Sequence, residues 1–193
     1  MKRSSGFTLI ELLVVISIIG ILASLAIPAV LSGISKAQMT GALSNMKQVH
    51  LLCQQMSLDG TTTGDTNLAW PGTIGSYKVW VANATPSYVS VSDFAKIMSV
   101  AGAITTNATN GNTNGVVVLS ALDTDEGSMA LLMSRNVTNS GATAWTLQTN
   151  AASSLFGSRG FIIFRKGGDG GVYLPKQVTN IALTGTPTNA LAQ

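Results

Sequence analysis

Between Leu12 and Ser35 the chain carries no charged side chain, and most positions are Leu, Ile, Val or Ala. About twenty apolar residues in a helix, rising 1.5 Å each, span roughly the 30 Å hydrocarbon core of a bilayer. The run therefore predicts a helix that enters a membrane. It follows Lys2 and Arg3, and the next charge is Lys36. Positive charge on the N-terminal side predicts that end in the cytoplasm and the remainder across the membrane. No second stretch of comparable length follows, so the expectation is a single crossing or a single anchor.

The rest of the inventory narrows the chemistry. A chain of 193 residues accommodates one domain, or one domain plus an appendage, and can bury a core. A single Cys excludes an intrachain disulfide and a multi-cysteine zinc site, and a single His excludes a multi-histidine metal site. The net charge is +3, but Lys2 and Arg3 supply two of the positive charges. Without them nine basic side chains face eight acidic ones, too little excess for a phosphate-binding surface. Nucleic acid is not an expected partner.

Two N-terminal architectures compete. The first is an ordinary secretory signal, with a charged start, an apolar stretch and Ser24-Leu25-Ala26 as a small-x-small cleavage site, which leaves a secreted binding module cut after Ala26. Against it, the apolar stretch from Phe7 to Leu25 is longer than a signal core, and Glu11 sits inside it. A carboxylate at membrane depth costs ~2.5–3.5 kcal/mol on insertion scales, less near a helix end. No Lys or Arg lies within helical reach on its apolar side. Cleavage between Gly6 and Phe7 would create an α-amino group four residues before Glu11, about one helical turn away. That ammonium can neutralise the carboxylate within one chain or between neighbours, and a charge pair in lipid pins the register of packed helices.

The segment Lys2-Arg3-Ser4-Ser5-Gly6-Phe7-Thr8-Leu9-Ile10-Glu11-Leu12-Leu13-Val14-Val15-Ile16 resembles the leader and N-terminal helix of type IV pilins and type II secretion pseudopilins. The likeness covers roughly the first 35 residues. It implies that Gly6 ends a leader (residues 1–6) cut by a prepilin peptidase on the cytoplasmic side, and that Phe7 becomes the N-methylated first residue. It further implies that Glu11 is the assembly glutamate paired with the Phe7 amine of an adjacent subunit. Pro28 matches the helix-breaking proline of the family.

Beyond Pro28 an amphipathic helix continues. Met39, Ala42, Met46, Val49, Cys53 and Met56 recur at spacings of three and four, on one face. Ser57-Leu58-Asp59-Gly60 offers a stop with Gly60 as C-cap. The predicted helix runs over residues 7–58, about 75 Å long, with residues 7–31 in the membrane. Pro28 removes a backbone hydrogen bond, so bending or melting is expected there. His50 and Cys53 are helical neighbours; two ligands make a poor metal site, and the expected arrangement is Cys53 in the core with His50 at its edge. The lone thiol tilts towards a pseudopilin or a disulfide-free pilin.

Residues 59–193 form the predicted globular head. Thr61-Thr62-Thr63-Gly64 opens a loop, and Tyr77-Lys78-Val79-Trp80-Val81 alternates as a short strand. Residues 92–98 read as a helix with Ser92 as N-cap, and residues 102–115 as a polar loop. Strands are predicted at Val116–Leu119, Met129–Met133 and Trp145–Leu147. A hairpin joins residues 160–165 to 172–175 across the turn Gly167-Gly168-Asp169-Gly170-Gly171. The expected fold class is α+β, a long N-terminal helix packed on an antiparallel sheet.

Candidate chemistry in the head is sparse. Asp123, Asp125 and Glu126 offer hard oxygen ligands suited to calcium, without the spacing of an EF-hand loop; a solvated turn is the plainer expectation. The glycine-rich run 167–171 could cradle an anion, but no helix follows it, and a hairpin turn fits better. Asn83, Asn107 and Asn136 open glycosylation sequons of a kind that an Asn/Thr-rich chain produces by chance. His50, the only histidine, lies on the long helix, away from any nucleophile of the head, so no catalytic constellation is expected. The resemblance implies a filament subunit: a single-pass protein of the bacterial inner membrane with a periplasmic head, then a periplasmic or surface fibre. Its implied partners are copies of itself, the prepilin peptidase, an inner-membrane assembly platform and minor pilins or pseudopilins.

Overall fold

The computed structural model describes residues 7–99, 115–139, 145–147, 156 and 159–178. The leader over residues 1–6, most of the polar loop (residues 102–114) and the sequon at Asn107 lie outside the described residues. By its contacts the chain divides into two units, Met1–Ala37 and Gln38–Gln193.

The described part of the first unit is almost wholly helix. Helix α1 (Leu9–Thr63) begins there and contains Pro28 without interruption, which corrects the melting expected at that proline. Proline deletes the bond to the Ser24 carbonyl. Leu25, Ala26, Ala29 and Leu31 around it are strong helix formers, and an established helix propagates at little cost once nucleated. The hydroxyls in this stretch turn back onto their own helix: Ser17 donates to the Leu13 carbonyl at 2.7 Å and Ser24 to that of Ile21 at 2.8 Å.

In the second unit the rest of α1 buries the expected face. Met39, Ala42, Met46, Val49, Cys53 and Met56 are all core residues. The expected stop at Gly60 is corrected. The helix runs on to Thr63, its last turn held by the Thr61, Thr62 and Thr63 hydroxyls donating to the Leu58 and Asp59 carbonyls. Gly60 is needed for closeness, since a Cβ there would collide with the Leu68 carbonyl. The left-handed residue is Gly64, with φ 75° and its N–H donating to the Gly60 carbonyl at 2.8 Å.

Three short helices follow, α2 (Pro71–Ile74), α3 (Tyr77–Ala84) and α4 (Val91–Met98). The strand expected at Tyr77–Val81 is therefore a helix. Tyr77, Trp80, Val81 and Ala84 are its buried residues, spaced as one helical face, whereas the alternating pattern stops after five residues. On α4 the N-cap is Ser90 and not Ser92: the Ser90 hydroxyl accepts from the Asp93 N–H at 3.1 Å and donates to the Asp93 carboxylate at 2.7 Å.

Strands β1 (Val116–Val118), β2 (Ala130–Ser134), β5 (Phe161–Arg165) and β6 (Gly170–Tyr173) form an antiparallel sheet in the order β1-β2-β5-β6. Strands β3 (Val137–Asn139) and β4 (Trp145–Leu147) pair separately. Both faces of the large sheet are covered, so β2 and β5 are buried almost throughout. Ile162 and Phe164 join the cluster that contains α1, while Phe161 and Ile163 join Leu119, Met133 and Val137. The final hairpin turns earlier than expected, because Gly170 and Gly171 already pair with Phe164 and Ile163. The α+β class stands: a long helix and an antiparallel sheet.

Candidate functional site

The first turn of α1 is closed by its own side chains. The Thr8 N–H donates to Glu11 Oε2 at 2.8 Å, and the Thr8 hydroxyl donates to the same oxygen at 2.7 Å. In return the Glu11 N–H approaches the Thr8 hydroxyl at 3.3 Å. This is a reciprocal capping box, a Thr followed three residues later by Glu. The carboxylate also lies at the positive end of the helix dipole. Thr8 was not singled out by sequence reasoning, although Thr-x-x-Glu before an apolar run is the signal that finds such a cap.

Behind the cap the helix is bare. Phe7, Leu9, Ile10, Leu13, Ile16, Ile19, Leu22, Leu25 and Ile27 are each more than half exposed. The helix is long and apolar enough to cross a membrane, and its most apolar stretch is buried nowhere in the protein. Each such side chain is worth about 1.5–3 kcal/mol when removed from water, so this surface demands lipid or other helices around it. Phe7, exposed, directly precedes the capping threonine. Gly6, the other half of the expected cleavage site, lies outside the described residues.

The remaining candidates are dispersed. Cys53 is fully buried, and burial pushes its thiol well above the ordinary range. His50 is also buried, deeper than the edge position expected. Its Nε2 lies 2.7 Å from the Lys166 carbonyl, and its ring packs near Trp70 and Phe164. Asp123, Asp125 and Glu126 lie between β1 and β2, and their carboxylates face different partners. Asp123 accepts from the Ser57 hydroxyl at 2.9 Å, Asp125 from the Leu122 N–H at 2.6 Å, and Glu126 from the Ser128 hydroxyl at 3.3 Å. Among the described residues no three His, Cys, Asp or Glu side chains converge to hold a metal ion. Gly167, Gly168 and Asp169 of the glycine run lie in the hairpin turn, closed by the Arg165 N–H donating to the Asp169 carbonyl at 2.7 Å, while Gly170 and Gly171 belong to β6. Asn136 is buried and donates to the Gly160 carbonyl at 2.8 Å, so the folded protein withholds that sequon; Asn83 is half-buried and donates to the Asn67 carbonyl at 2.8 Å.

Comparison with known proteins falls on the same region. Residues 1–27 match the family model described as the prokaryotic N-terminal methylation motif. The chain is 40% identical over 67 residues to the type IV major fimbrial protein FimA of Dichelobacter nodosus, covering 35% of this chain and 43% of that protein. It is 37% identical over 91 residues to a probable minor fimbrial protein of the same organism, covering 46% and 57%. It is 39% identical over 72 residues to the type II secretion system core protein G of Pseudomonas aeruginosa, covering 37% and 46%. The matches thus span about half the length of these curated relatives. No solved structure matches the chain. The resemblance to type IV pilins and pseudopilins drawn from Gly6 to Glu11 agrees with these findings.

Proposed function

We propose that this protein is the structural subunit of a type IV pilus-like or type II secretion pseudopilus filament, with no enzymatic role. The observation that carries the proposal is the bare apolar helix that starts at a capped glutamate inside a methylation motif. A prepilin peptidase hydrolyses the Gly6–Phe7 bond on the cytoplasmic side, leaving a Phe7 ammonium that is then methylated. The stalk holds the subunit in the inner membrane with its head in the periplasm. Subunits leave the bilayer for an assembly platform, where neighbouring stalks replace lipid around the apolar surface, and minor pilins or pseudopilins join the same fibre.

Glu11 supplies register. The Thr8 N–H already touches its carboxylate at 2.8 Å, and consecutive Cα atoms lie about 3.8 Å apart. The new Phe7 amine is therefore created within a residue's length of the carboxylate. In a packed stalk bundle the amine of one subunit and the carboxylate of the next neutralise each other, and an unpaired carboxylate in that apolar setting is costly. The capping box keeps Glu11 satisfied until that partner arrives.

The test is filament yield. Cells that make the wild-type chain together with its peptidase and platform release fibres containing it on shearing. Glu11→Leu is expected to be cleaved normally and to remain in the membrane fraction. Fibres from Glu11→Leu at wild-type yield would contradict the pairing.

A further inference from the structure

The loop between β1 and β2 has the composition of a cation site, with three carboxylates in the four residues Asp123 to Glu126. Calcium requires six to eight oxygens converging at about 2.3–2.6 Å. The three carboxylates instead diverge, towards Ser57, the Leu122 N–H and Ser128. What converges is the main chain, and a cation already sits there. Lys166 Nζ donates to the Asp123 carbonyl at 2.6 Å and to the Asp125 carbonyl at 2.7 Å, with its ammonium 5.1 Å from the centre of the Trp70 ring. A second cation beside it would meet both its charge and its hydrogens. The residues do not fit a calcium ion.

The same lysine is held from behind. Its N–H donates to the Met129 carbonyl at 2.9 Å, and its own carbonyl lies 2.7 Å from His50 Nε2 on α1. The next residue, Gly167, donates to the Gly127 carbonyl at 2.8 Å. The loop is tied to the helices as well, through Asp123 to Ser57 at 2.9 Å and through the Gly72 N–H to the Ala121 carbonyl at 2.8 Å. One side chain therefore joins the β5–β6 hairpin, the Trp70 face at the start of α2 and the acidic loop. Hydrogen bonds from an ionised donor are the strong ones, and an aromatic face under the ammonium adds to them.

We infer that the Lys166 ammonium serves as the built-in cation of the Leu122–Gly127 loop, so that the head folds and stays folded independently of divalent metal. A tethered ammonium is present at full occupancy in every copy, whatever the ionic composition outside the cell. The Asp125 and Glu126 carboxylates then bond to the neighbouring Leu122 amide and Ser128 hydroxyl, the Asp123 carboxylate ties the loop to Ser57 on α1, and none of the three binds an ion.

The experiment is thermal unfolding of the full chain in detergent, followed by tryptophan fluorescence, with either excess EDTA or millimolar CaCl2. The expected result is one Tm for the wild type in both conditions, and for Lys166→Met a Tm lower by roughly 5–10 °C in both. A wild-type Tm that falls with EDTA or rises with CaCl2 would overturn the inference, as would Lys166→Met melting with the wild type. The wild-type comparison decides by itself should Lys166→Met fail to fold.

Discussion

At the scale of single residues, Glu11 and Thr8 make separable demands. Glu11 was legible because a carboxylate inside an apolar run is costly and calls for a partner. Thr8 is legible too, as the Thr of a Thr-x-x-Glu pattern before an apolar run, although the costly carboxylate draws attention away from it. Thr8→Val keeps the shape and removes the hydroxyl, and is expected to lose about 1 kcal/mol of helix-start stability, visible as faster amide exchange in the first turn. It should still be processed and assembled, since Glu11 retains its charge; loss of fibres from Thr8→Val would make the hydroxyl part of the interface itself. Cys53 belongs to this scale too. Its buried thiol, pushed upwards by desolvation, is expected to resist a thiol reagent at pH 8 until denaturant is added, and rapid labelling of the folded protein would contradict its core position. Asp123, Asp125 and Glu126 were legible as a carboxylate cluster, but Lys166 lies 43 positions beyond Asp123, and nothing local in the sequence announces that pairing.

At the scale of elements, the long helix and the sheet were readable because their periodicities run long. The three-and-four spacing from Met39 to Met56 holds over five turns, and Phe161–Arg165 is a β-rich run bounded by glycines. The failures came where the pattern was short. Tyr77–Val81 alternates over five residues, but burial of Ala84 beside Trp80 and Val81 selects a helix. At the start of α4, Ser90 and Ser92 compete, and Ser90 wins because Asp93 stands three residues after it. Ser90→Ala is expected to cost about 1 kcal/mol, read as a lower urea midpoint, while Ser92→Ala leaves it unchanged. The Lys96 ammonium and then the Ser90 hydroxyl hold the Asp93 carboxyl below its ordinary value. A depressed carboxyl contributes stability above its unfolded pKa, about 4, which is lost as pH falls through its folded value. Asp93→Asn should therefore shrink the acid-side loss of stability, and an unchanged pH profile would deny the pair any such role.

At the scale of the whole molecule, the two units ask for different surroundings. Met1–Ala37 contributes apolar side chains with nothing of the protein over its most apolar stretch, while Gln38–Gln193 carries two buried clusters of its own. A chain begun at Gln38 is expected to stay in solution without detergent, and the full chain to follow the membrane fraction; a full chain found in the soluble fraction would remove the stalk from the account. The sequence marks the apolar part of the first unit, since charge is absent from Leu12 to Ser35 and the three-and-four periodicity begins after it, whereas the expected domain boundary lay at Leu58. The central claim is that this end is cut once, just before the apolar helix, and kept. Mass spectrometry of the mature N-terminus tests it most directly. A chain beginning at Phe7 with one added methyl group is the result expected of a filament subunit. A chain beginning at Ile27 would discard the stalk, leave Glu11 without a role and contradict the account.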